Sequence, residues 1–156
     1  MSTRRPTFAE AIAAMGEEDA VLAHAARELL DARYVAGRHE VAAAARTDDG
    51  GIVTGIHVEA SQGRASICAE SGVASGVVAA GSKAVALVAV LRRRDGTVHL
   101  IEPCGVCAEL LADMWPDARV WAAREATPEP IAAADLLPFR HTRIGRLDAS
   151  SKENPA

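Results

Sequence analysis

All three cysteines of the chain fall in two short segments, Cys68-Ala69-Glu70 and Pro103-Cys104-Gly105-Val106-Cys107, and any fold must explain why. Zinc that activates water needs three protein ligands and one open coordination position, at which the pKa of water falls towards neutrality. Cys104 and Cys107 have a spacing at which one turn at a helix N-terminus brings both thiolates to one metal, and Cys68 arrives from a separate segment. The chain must therefore bring two helix starts together. No further cysteine exists, so the fourth position is left for water or substrate. Glu70, two residues beyond Cys68, is a carboxylate beside the metal that is not a ligand. Such a group can take a proton from water and hand it to a leaving amine.

Other readings of a Cys-x-x-Cys pair fit less of the pattern. A redox pair would leave Cys68 and Glu70 without a role. A structural zinc site would use four protein ligands. Cys-x-Glu followed at a distance by Pro-Cys-x-x-Cys is the arrangement of zinc deaminases, which predicts one zinc ion per chain.

The rest of the chain sets the frame. Its 156 residues, 49% of them hydrophobic, suit a single domain over residues 1–147 with a polar tail over 148–156. No apolar run is long enough to cross a membrane, and the N-terminus lacks the pattern of a signal peptide, so a soluble protein is expected. Thiolates reserved for a metal point to a reducing compartment, with cytoplasm as the default. A net charge of −4 and 3% aromatic content lack the basic footprint and stacking platforms of a nucleic-acid binder, and favour a small free substrate.

Periodicity supplies the elements. Thr7-Phe8-Ala9-Glu10 has capping-box spacing, so a short helix is expected to about Met15. Val21, Leu22, Ala25, Leu29 and Leu30 recur at helical spacing, predicting a long helix over 17–33. Residues 40–46 and 52–58 flank an Asp/Gly turn and read as a β-hairpin. Residues 59–67 read as an active-site loop. Cys68 opens a helix to about Ala80 that Gly81 closes, residues 85–91 form a strand buried on both faces, and 97–101 a return strand. Cys104 opens a helix to about Met114, and 119–123 form a fifth strand. Residues 127–130 read as a turn and 132–137 as a helical turn. These alternating elements predict an α/β fold, a three-layer α/β/α sandwich with a mixed sheet of about five strands.

The zinc segments, with Thr54-Gly55-Ile56-His57-Val58-Glu59 and Leu136-Leu137-Pro138-Phe139, resemble the cytidine deaminase family, which also includes blasticidin-S deaminase. The resemblance spans roughly Leu22 to Phe139. It implies that Cys68, Cys104 and Cys107 bind zinc, and that Glu70 shuttles protons during hydrolytic attack on C4 of a cytosine-type ring. It further implies that Glu59 holds the ribose hydroxyls, that Ala69 and His57 line the substrate, and that Phe139 lies near the bound base. Family members of this length are usually homotetramers whose sites are completed by neighbours, so a homo-oligomer is expected, tetramer or dimer.

Several positions depart from the family pattern. His57 stands where a ribose-binding Asn is usual, and an imidazole cannot offer the same donor and acceptor pair. His39 stands where Phe is usual, also near the expected substrate. The arginines that commonly offset the negative three-thiolate centre are replaced by Ser71, Ala108 and Glu109. The offset is then expected from helix N-terminal amides, with Arg64 and Arg143 as further candidates. Glu102 replaces a usual Ser or Thr; it is either a strand-end surface residue or one that faces the pocket and favours a cationic ligand. The leading expectation is deamination of a free cytosine nucleoside or modified analogue, such as occurs in pyrimidine salvage. The alternatives are deamination of a nucleoside antibiotic of the blasticidin-S type and a non-catalytic zinc-binding paralogue.

Overall fold

A computed structural model describes residues 4–124 and 127–141; Arg143 and the polar tail lie outside them. The capping box forms as its spacing predicts: the Thr7 hydroxyl accepts from the Glu10 amide while the Glu10 carboxylate accepts from the Thr7 amide at 2.7 Å, starting α1 (Phe8–Ala14). Helix α2 (Glu17–Arg33) buries Leu22, Ala23, Ala26 and Leu30. Strands β1 (Val41–Thr47) and β2 (Ile52–Ile56) form the expected antiparallel hairpin, with Gly50 at φ 87° in its turn. Then come α3 (Ala69–Ala79), β3 (Ala84–Arg92), β4 (Val98–Ile101), α4 (Gly105–Met114), β5 (Arg119–Arg124) and β6 (Thr127–Ala132).

The sheet has six strands, in the order β2-β1-β3-β5-β6 with β4 also on β3. The expected five-strand sheet is thus one strand short, because residues 127–132 pair along β5 instead of turning. Pro128 and Pro130 hide this strand in the sequence. Two residues apart on a strand that ends the sheet among the described residues, they place their missing N–H groups on one side of its backbone, which suits an edge position. The short 3-10 turn Ala133–Asp135 follows.

Strand β3 is the centre of the sheet, antiparallel to β1 and β4 and parallel to β5. Along one edge, Ala86 and Leu87 pair with β5 and Ala89 to Arg92 pair with β4, so the sheet divides where α4 leaves β4. The run Val41 to Ala45 alternates faces as a strand must. Ala43 and Ala45 pack with Val73, Val77, Leu87 and Leu111 under α3 and α4. Ala42 and Ala44 pack with Leu22, Leu30, Val88 and Leu100 under α1 and α2. Helices on both faces of a mixed sheet give the expected three-layer α/β/α sandwich.

Small residues in the sheet let the helices approach closely. A Cβ on Gly55 would lie 2.5 Å from the Ala69 carbonyl oxygen and 2.8 Å from the Val73 nitrogen, so β2 fixes the height of the first turn of α3. On the opposite face, the Asp19 carboxylate, 6% exposed, accepts from the Trp121 indole at 2.8 Å and from Arg119 at 3.0 Å. This satisfied buried charge locks α2 to β5. Among the described residues no helix is long and apolar enough to cross a membrane.

Candidate active site

The two cysteine segments meet at the starts of α3 and α4. Cys68 and Cys104 are the N-cap residues of these helices, both with extended backbone, and Cys107 lies one turn into α4, buried. Their three sulfurs lie within 4.8 Å of one another, and Cys68 Sγ and Cys104 Sγ are 3.7 Å apart. Sulfurs at about 2.3 Å from one tetrahedral ion are separated by about 3.8 Å, so the donor set fits zinc. Burial pushes the Cys68 and Cys107 thiols above their usual pKa. Burial works the same way on Cys104, but the Val106 and Cys107 amides in the first turn of α4 and the neighbouring sulfurs outweigh it and lower that thiol overall. The first-turn amides thus favour the Cys104 thiolate, while burial favours the protonated forms of Cys68 and Cys107, whose protons a cation can displace.

Glu70 is 4% exposed, in the first turn of α3. Burial raises its carboxyl pKa, against smaller opposing effects of its own backbone amide and of His57. Glu70, Cys68, Cys104 and Ala69 open onto one cavity of about 370 Å³, walled by Val41, Ile101 and Pro103. A larger groove of about 750 Å³, near Lys83 and Trp115, lies at the opposite ends of α3 and α4 and holds neither a cysteine nor Glu70.

The sequence matches the description "Cytidine and deoxycytidylate deaminase zinc-binding region" over residues 16–123. The chain belongs to this family. It is 30% identical over 134 residues to blasticidin-S deaminase of Bacillus cereus, covering 83% of this chain and 96% of that protein. The cytidine deaminase structure from Mycobacterium leprae superposes with a TM-score of 0.64 at 27% identity, covering 80% of this chain and 99% of that one. The one from Mycobacterium tuberculosis does so at 0.64 and 26%, covering 83% and 100%. The chain is a hydrolytic deaminase, and its cofactor is zinc.

Within this deaminase the remaining expected residues are placed unequally. His57 lines the cavity, and both its ring nitrogens are engaged: Nε2 contacts Glu59 Oε2 at 2.7 Å, and Nδ1 accepts the Glu40 amide at 3.5 Å. This assigns the proton to Nε2. Glu59 contacts the His57 ring and His39 the His57 backbone, its Nδ1 2.9 Å from the carbonyl oxygen; neither lines the cavity. Phe139 is 100% exposed and does not line the cavity that holds Glu70. Leu136 and Leu137, from the same C-terminal motif, do line a neighbouring cavity of about 260 Å³.

The offsets to the metal charge also differ from expectation. Arg64 is exposed in the 3-10 turn Gly63–Ala65 and does not line the cavity. Ser71 places its hydroxyl 3.4 Å from Cys107 Sγ, so the residue that replaces an arginine still offers that sulfur a donor. Among the described residues, the one arginine on the cavity wall is Arg5, which sequence reasoning missed. It reaches the site because Thr7 bridges to His99 on β4, a contact that local periodicity cannot reveal.

Proposed function

We propose that this deaminase removes the exocyclic amino group of a free cytosine nucleoside or a modified analogue, releasing ammonia. The observation that carries this reading is buried Glu70 facing the same cavity as Cys68 and Cys104. Cys68, Cys104 and Cys107 would hold zinc, which when bound supplies an acidified water. The Glu70 carboxylate takes one proton of the attacking water as oxygen adds at C4 and passes it to N3, whose double bond to C4 opens. It then carries the proton left on that oxygen to the exocyclic nitrogen as the C4–N bond breaks, the C4–O double bond forms and ammonia leaves. A carboxyl pKa raised by burial suits a group that must both accept and donate near neutrality.

The apolar walls supplied by Val41, Ala69 and Ile101 suit a flat pyrimidine ring. Glu59 bonds His57 through one carboxylate oxygen; its other oxygen, on a side chain 43% exposed outside the cavity wall, is assigned to ribose hydroxyls that extend past His57. His39 positions His57 through its backbone. We read the protein as a homo-oligomer, tetrameric or dimeric, because Phe139 and Val106, 100% and 73% exposed, leave apolar surface for a neighbour to cover. In that assembly Phe139 would face the base in an adjacent subunit's site.

The second reading is a nucleoside antibiotic of the blasticidin-S type, favoured by the 30% identity over 96% of the Bacillus cereus enzyme. Both are tested by incubating the zinc-loaded protein with cytidine, deoxycytidine, 5-methylcytidine and blasticidin-S, following the fall in ultraviolet absorbance and the ammonia released. Zinc-dependent turnover of at least one is expected. Turnover of blasticidin-S alone selects the second reading, and inertness towards all four contradicts both.

A further inference from the structure

Two charged groups on the cavity wall, Arg5 and Glu102, have no part in the chemistry assigned above. They are paired with each other, Arg5 Nη1 donating to Glu102 Oε2 at 2.5 Å. Their side chains are 37% and 43% exposed, and a pair so open to water contributes at most about 1 kcal/mol. A competing ligand therefore opens it readily.

The partners are anchored differently. Glu102 follows directly on β4 and precedes buried Pro103, so its carboxylate is held by the same backbone that presents Cys104. Arg5 reaches in on a long side chain from the segment before α1, outside the family-matched residues 16–123. When a ligand enters, Arg5 is the partner that leaves. The sign of the local field then decides what replaces it. Three thiolates on a dication leave a net negative centre two residues from Glu102, which attracts cations and repels anions. The neighbouring cavity of about 260 Å³ shares Glu102 and Pro103 and adds Asp135, so a cation seated at Glu102 has room beyond it.

We propose that Glu102 selects pyrimidine nucleosides bearing a cationic ammonium or guanidinium substituent, and that Arg5 is the internal cation occupying this carboxylate until such a substrate displaces it. This rests on the pyrimidine reading of the site but is tested by binding, without turnover. The probes are uridine, two ammonium derivatives with the charge on the sugar (5′-amino-5′-deoxyuridine) or on the ring (5-aminomethyluridine), and uridine 5′-monophosphate. Each is titrated calorimetrically into the zinc-loaded full chain.

At least one ammonium probe is expected to bind about tenfold more tightly than uridine, as a charge-assisted hydrogen bond would give, and the phosphate probe more weakly. Glu102→Gln is expected to bring the ammonium probes within about twofold of uridine, and Arg5→Ala to tighten the ammonium probe roughly threefold by removing its competitor. An ammonium preference that survives Glu102→Gln overturns the inference. So does equal binding of all four probes, or tightest binding of the monophosphate with its loss in Arg5→Ala, which would make Arg5 an anion clamp. These outcomes leave the pyrimidine reading intact. Failure of every probe to bind, with no deamination of cytidine or 5′-amino-5′-deoxycytidine, removes that reading and the inference with it.

Discussion

Replacing Glu70 with Gln is expected to lower kcat by roughly 10³-fold to 10⁴-fold while leaving one zinc per chain and the fold unchanged. The amide keeps the shape of the carboxylate on a residue only 4% exposed, so packing is preserved. It cannot accept a proton, and the step that moves one from water to the leaving nitrogen loses its carrier. The centre makes this loss unusually severe. Three thiolates donate strongly to the metal, and in place of an arginine Cys107 receives the weaker dipole of the Ser71 hydroxyl. The attacking water would then be less acidic than beside a cationic neighbour, and would depend more on Glu70. Residual activity of the variant is expected to climb with pH, as hydroxide supplies what the carboxylate no longer does. Activity within tenfold of the wild type, or an unaltered pH profile, would contradict the assignment of Glu70.

The second large effect concerns the metal. Cys104→Ser is expected to weaken zinc binding by more than about a hundredfold, the loss that removing an outer partner alone can cause. Cys104 is the exposed sulfur at the start of α4, so the change disturbs packing little and the defect reads directly on the metal. Zinc at a hundred times its dissociation constant stabilises a fold by about 2.7 kcal/mol, so the variant should melt with the metal-stripped wild type and gain nothing from added zinc. Because burial holds protons on Cys68 and Cys107, zinc uptake by the wild type should release protons and weaken as pH falls. Competition with a zinc-sensitive dye, read together with thermal melts, checks these outcomes. Unchanged zinc affinity in Cys104→Ser would place the metal elsewhere.

Local signals made much of this fold legible before any coordinates. The capping box at Thr7 and the Asp/Gly turn before β2 act within a few residues, as does the cap glycine Gly81, at φ 72° after α3; each was readable where it stands. The metal site was legible because its chemistry fixes both residue type and spacing. What stayed hidden depended on distant contacts. Strand β6 is written in prolines, which argue against a strand until β5 is seen beside it. The His57–Glu59 bond shows two expected substrate residues spending polar atoms on each other. Arg5 lies 97 residues from Glu102, and no sequence period links them.

The sulfur trio is the point on which the whole account turns, and X-ray absorption at the zinc K-edge of the purified protein tests it most directly. The account predicts one zinc per chain with three sulfur scatterers at about 2.3 Å and one lighter atom in the remaining position. Zinc-free protein with full deaminase activity, or a zinc environment without that sulfur shell, would contradict it.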